Sequence, residues 1–244
     1  MLAGLPFDTL GVLWLGALLG GIAAGASGFA FGLAASSIWL HRIDPLHSTI
    51  LITGCGVLLH STTIWPQRHN VRIAKLWPFV LGGLVGIPIG VHLLAHTSVG
   101  VLKPTLGAFL VIVGGYALMA PRPATTQAGG RAVDAAVGFV GGILGGLGGY
   151  SGVLPTIWTQ VRGWPKEIAR GVYQPYLIIV QIVTLAGIIW ATLDRRGLIL
   201  LVAVLPPLLI GTWIGWQLYG RLDERRFRQG LSLLLIASGA MLLL

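Results

Sequence analysis

The chain has 244 residues, 55% of them hydrophobic and only 9% charged, too apolar a balance for a soluble domain to cover with polar surface. Its net charge of +9 would suggest a nucleic-acid partner in a soluble chain. Here the basic residues lie mostly in short loops beside apolar segments, where membrane orientation accounts for them and no nucleic acid is expected. The single cysteine, Cys55, cannot form an internal disulfide and reads as a small packing residue.

Residues 7–40 open the chain as an apolar stretch with a break expected near residues 25–28, where the sequence reads GASGFAFG. No Lys or Arg precedes this stretch, so no removable signal peptide is read. Apolar spans follow at 46–65, 74–95 and 99–119, and then APRPATTQAGG has the composition of a linker. The pattern then recurs. Residues 133–161 form a stretch expected to break near 145–152, within GGLGGYSGVLPTIW, and spans follow at 167–190, 198–219 and 227–244.

The recurrence is visible in the residues themselves. GGIAAGASGF at 20–29 matches GGILGGLGGY at 141–150 with an offset of 121, Pro45 answers to Pro165, and GIPIGVHL at 86–93 answers to GTWIGWQL at 211–218. The chain therefore divides into a first repeat at 1–120, a linker at 121–131 and a second repeat at 132–244. The expected fold is an all-α polytopic membrane protein of two repeats, each a glycine-broken or re-entrant leading segment plus three transmembrane helices. If each leading segment goes in and returns, the halves are inverted, and all but four of the 16 Lys and Arg fall on the inside, leaving Arg42, Lys103, Arg195 and Arg196 outside. The positive-inside rule favours that arrangement over parallel halves.

A helix interrupted in lipid exposes backbone groups that protein, water or a ligand must satisfy. Pro155 suits the first turn of a new helix, which places Gly146, Gly148, Gly149, Tyr150 and Ser151 at a helix N-terminus, where exposed N–H groups attract anions. Gly25, Ser27 and Gly28 are given the same part in the first repeat. Two such breaks at matching places point to a substrate site. Gly16, Gly20, Gly82, Gly86 and Gly90 read as close-packing positions instead.

Polar residues inside spans extend the candidate site. Gln181 lies deep in its span and corresponds to His60 across the repeat; Gln174 precedes Pro175 and corresponds to Thr53. For Gln181 an interhelical hydrogen bond competes with a substrate contact. His60 is nearer a span end, where a solvated or capping role competes, and Arg170 either draws an anion inward or snorkels. Thr63, Thr184 and His92 default to packing. No Asp or Glu is read deep in a span, and neither metal nor cofactor is expected.

On these motifs, together with GWPKEIARG after the second break, the chain resembles the sulfite exporter TauE/SafE family of bacterial membrane transporters. The resemblance implies a non-enzymatic, multi-pass protein of the bacterial inner membrane that carries small anions such as sulfite, thiosulfate or organosulfonates by alternating access, with a site at the two broken helices. Its partners would be the anion, the lipid bilayer and, in one version, a coupling ion. The first repeat has Ala34 where the second has Pro155, so the two breaks need not be equivalent. Two rival readings remain. An intramembrane serine protease could use a G-x-S-G serine, Ser27 or Ser151, provided that a His such as His60 or His92 comes within reach. A structural membrane protein would need no site at all.

Overall fold

The structure, a computed structural model, describes residues 7–119, 129–192, 195–219 and 224–243. In chain order the helices are α1 (Phe7–Ser27), α2 (Phe31–Trp39), α3 (Pro45–Ile64), α4 (Ile73–His96), α5 (Val99–Met119), α6 (Gly130–Gly148), α7 (Val153–Val161), α8 (Lys166–Thr192), α9 (Arg195–Tyr219) and α10 (Glu224–Leu243). A 3-10 turn at Trp65–Asn70 joins α3 to α4. Among the described residues, six helices are long and apolar enough to cross a membrane: Thr9–Ser27, Ile73–His96, Val99–Tyr116, Gly130–Gly148, Lys166–Trp190 and Arg196–Leu218. The chain is an all-α, multi-pass membrane protein. Of the expected linker, residues 121–128 lie outside the described residues.

Both leading segments are broken, and each break is followed by a helix of only nine residues. Nine residues rise about 14 Å, less than half of a bilayer's hydrocarbon core. The breaks fall later than the glycine clusters suggest: α1 stays helical through Gly25 to Ser27, and α6 through Gly148. Glycine lowers helix propensity but does not end a helix when close packing holds it. What ends these helices is a left-handed residue, Gly28 at φ 82° and Gly149 at φ 79°.

The chain forms two compact units. The first contains α1, α2, the part of α3 up to Ile52, α5, α9 and α10; the second contains α3 from Thr53 onward, α4, α6, α7 and α8. In the first unit α1 lies against α9 through glycines spaced four apart. A Cβ on Gly21 would meet the Leu208 carbonyl oxygen at 2.7 Å, and Gly25, Gly211 and Gly215 likewise abut backbone of the facing helix. In the second unit α4 lies against α6 through Gly82, Gly86 and Gly90 on one side and Gly138, Gly142 and Gly146 on the other, each against facing backbone. With no hydrophobic force between helices in lipid, such close backbone approach is the main source of packing energy.

Two helix pairs run antiparallel. In the first unit Gly107 on α5 faces Gly239 on α10 while Gly114 faces Leu235 and Ile236. In the second unit Gln174 on α8 bonds Thr63 on α3, and one turn pair further along Gln181 meets Gly56.

Candidate functional site

The second break is built as a Schellman turn. The Gly149 N–H donates to the Gly145 carbonyl at 2.7 Å and the Tyr150 N–H to the Leu144 carbonyl at 3.1 Å, so the last carbonyls of α6 are satisfied. The chain then enters α7, with Pro155 in its first turn. Among the described residues, the N–H groups of Ser151, Gly152 and Leu154 have no partner. Ser151 is fully buried, and its Oγ has no hydrogen-bond partner either. Gly145 makes room for it: a Cβ there would lie 3.0 Å from Ser151 Cβ and 2.7 Å from Val180 on α8.

The first break shares the turn, and among the described residues the N–H groups of Phe31, Gly32 and Leu33 likewise have no partner; the two breaks differ in their serines. Ser27 Oγ accepts the N–H groups of Phe29 at 3.2 Å and Ala30 at 3.0 Å. Ser27, the last residue of α1, thus satisfies two N–H groups of the turn that leads into α2. The two serines do not play the same part, because Ser27 stands before the left-handed glycine and Ser151 after it.

On α8 the residues Arg170, Gln174, Gln181 and Thr184 share one helical face and all are buried. The facing stripe on α3 carries Gly56, His60 and Thr63. Gln174 Nε2 donates to Thr63 Oγ1 at 3.3 Å. The Gln181 amide lies flat over Gly56, in space that any Cβ would fill. Five further side-chain atoms in this unit are buried without a hydrogen-bond partner: Thr156 Oγ1, Arg162 Nη1, Gln174 Oε1, Gln181 Oε1 and Thr184 Oγ1. Each such group costs free energy unless something meets it. With Ser151 they line the interior of the second unit with polar groups; in the first unit Ser48 Oγ is likewise buried without a hydrogen-bond partner.

A family model for the sulfite exporter TauE/SafE matches residues 13–242, nearly the whole chain. The chain belongs to that family. It is a family of membrane anion transporters. No curated protein matches the chain. Nor does any solved structure.

In this TauE/SafE protein the sequence-derived candidates separate into groups. Tyr150, Ser151, Gln174 and Gln181 lie on the buried polar elements of the second unit, with His60 and Arg170 on the same two stripes. His60 is only 2% exposed, so the solvated role expected for it gives way to a buried one. Arg170, at 7% exposed, is held inside rather than extended to the interface. Gly25 and Gly146 are helix-packing positions: a Cβ on Gly146 would lie 2.6 Å from the Ile87 carbonyl oxygen, and Gly25 abuts the Thr212 carbonyl. Gly148 faces the Tyr150 ring, and Gly28 and Gly149 carry the turns.

Sequence reasoning missed two features. Thr156, one turn after Gly152, is not among the sequence-derived candidates, although a hydroxyl in the first turn of a short helix is a visible signal. The second is Asp134, which is 4% exposed in the first turns of α6, a buried carboxylate near a span end rather than deep within it. Its Oδ1 accepts the Trp158 indole N–H at 2.7 Å and lies 3.6 Å from Arg162 Nη1. The Arg162 guanidinium in turn stacks over Trp158 and Trp164, and Lys75 Nζ sits 4.1 Å from the Trp164 ring centre. A lone Asp within an apolar run, four turns before a break, was the available clue.

Proposed function

We propose that this chain carries small oxyanions of sulfur or organosulfonates across the bacterial inner membrane by alternating access, without a nucleotide and without enzymatic chemistry. The observation that carries the reading is the second break, where a buried, unpartnered Ser151 hydroxyl and unpaired N–H groups stand at the N-terminus of α7. A helix N-terminus with free donors favours an anion through both hydrogen bonds and the helix dipole. Hydroxyl and amide groups on α7 and α8 supply further neutral contacts, and Arg170 supplies positive charge within the same unit.

The mechanism takes residues 1–120 and 132–244 as inverted repeats joined by a linker at 121–131. The antiparallel runs of α5 against α10 and of α3 against α8 support this, since each pair holds corresponding helices of the two halves. Inverted halves can exchange conformations, which is the basis of alternating access. The protease reading receives no such support: Ser151 Oγ lacks any base as a partner, and Ser27 Oγ is occupied by two backbone donors.

The test is anion uptake and binding by the purified protein in liposomes, with sulfite, thiosulfate and methanesulfonate against matched cations and neutral analogues. Saturable movement of at least one of these anions, with no movement of the controls, is expected. Absence of binding for all three anions would overturn the proposal.

A further inference from the structure

The lipid-facing side of α4 ends in two histidines. Leu81, Val85 and Ile89 form an exposed apolar stripe on this helix, and His92 and His96, also exposed, continue the same stripe into its last turn. That is where hydrocarbon gives way to headgroups and water. On sequence grounds His92 defaults to packing; the structure puts its ring on the surface beside that of His96. The two ring centres are 4.1 Å apart, with 32° between the planes.

The His96 ring is also held in one tautomer. Its Nδ1 lies 2.8 Å from the His92 carbonyl oxygen, and a carbonyl can only accept, so Nδ1 carries the hydrogen. Nε2, on the far side of the ring, then keeps its lone pair and is directed away from the backbone. Metal-ligating histidines are oriented in just this manner, the second nitrogen donating to a carbonyl or carboxylate. Among the described residues no hydrogen bond fixes the His92 ring, which can turn a nitrogen toward its neighbour. Two imidazole nitrogens, each about 2.0 to 2.1 Å from one ion, stand about 3 Å apart. Rings whose centres are already 4.1 Å apart reach that spacing by side-chain rotation alone. Between Lys75 and Lys103 the sequence has no Lys, Arg, Asp or Glu, so this part of the helix carries no charge of its own to repel a cation.

We propose that His92 and His96 chelate one divalent transition-metal ion of the kind that prefers imidazole, such as Cu²⁺, Ni²⁺ or Zn²⁺, at the surface end of α4. Among the described residues no group of three or more His, Cys, Asp and Glu could hold a metal, so the protein supplies two ligands and water the rest. With so few protein ligands, preference follows the general order for nitrogen donors, Cu²⁺ tightest. A hard ion such as Mg²⁺, which takes oxygen ligands, is refused. The proposal does not depend on the anion-transport reading.

The test is calorimetric titration of the purified, untagged protein in detergent with Cu²⁺, Ni²⁺ and Mg²⁺, together with electron paramagnetic resonance of the Cu²⁺ form. One Cu²⁺ per chain should bind at this site, more tightly than Ni²⁺ and with no binding of Mg²⁺, and its spectrum should show coupling to two imidazole nitrogens. His92→Ala and His96→Ala should each weaken that binding about tenfold or more. His69→Ala, which alters another exposed histidine of the second unit, should leave it unchanged. Coupling to a single nitrogen in the parent protein, or Cu²⁺ binding undiminished in both variants, would overturn the proposal. So would Cu²⁺ binding no tighter than Mg²⁺, which would leave the His96 ring as no more than a hydrogen-bonded end to α4. The nitrogen count is read on the parent protein and stands whether or not the variants fold.

Discussion

After α1 the chain turns at Gly28, and Ser27 gathers the free N–H groups of Phe29 and Ala30. After α6 it turns at Gly149 with nearly the same φ, and the buried Ser151 Oγ beyond it has no partner among the described residues. The ends of the short helices differ in the same sense. Trp39 ties α2 back to α1 by donating to the neutral Leu13 carbonyl at 3.1 Å, whereas Trp158 ties α7 back to α6 by donating to the Asp134 carboxylate, with Arg162 beside it. The serine of the first turn is engaged by backbone donors, and the serine of the second is not.

The largest effect concerns the orientation of the two short helices. Arg42 follows α2 and Lys166 follows α7, and both are exposed. With Cys55 replaced by Ala, single cysteines at Arg42 and Lys166 should label with an impermeant maleimide from opposite faces, Arg42→Cys outside and Lys166→Cys inside. Labelling of both from one face would mean parallel halves and remove the basis for comparing the breaks as inverted equivalents.

Next in size are glycine replacements that separate turn from packing. Gly149→Val forces a β-branched residue to φ 79° at a cost of about 1 to 2 kcal/mol, and should abolish anion binding while the protein still inserts and purifies. Gly82→Val drives a side chain into the Ala135 backbone between α4 and α6, and should lower stability by about 1 to 3 kcal/mol or more, read as a shifted detergent-unfolding midpoint. Unimpaired anion binding by Gly149→Val would show that the second break serves packing alone.

The smallest and sharpest contrast uses the two serines. Ser27→Ala removes the acceptor of the Phe29 and Ala30 N–H groups and should cost about 1 kcal/mol of stability with anion affinity unchanged. Ser151→Ala removes no bond of the empty protein, so stability should hold or rise, while anion affinity falls about tenfold, as loss of a hydrogen bond to a charged group requires. If the two variants behave alike, the difference between the breaks has no functional meaning.

Hydropathy and glycine clusters were enough to place six of the spans, because a helix crossing lipid must be apolar over about 20 residues and a left-handed turn needs a residue without a Cβ; the expected spans at 46–65 and 227–244 form helices that are not among those six. Gly28 and Gly149, the start of a helix just before Pro155, and the buried glutamines of α8 were all legible in this way. The faces of the helices were not. Lipid and protein interior are equally apolar, so a span's sequence does not mark which side meets another helix. Only the packed structure assigns Gly25 and Gly146 to helix contacts, pairs α1 with α9 and α4 with α6 across the halves, and buries Asp134 against Trp158. The partners of Ser27 and Ser151 also belong to the tertiary level. A hydroxyl reaches a backbone N–H only when the turn presents one within about 3 Å, and the turn presents it to the serine before the glycine and not to the serine after it.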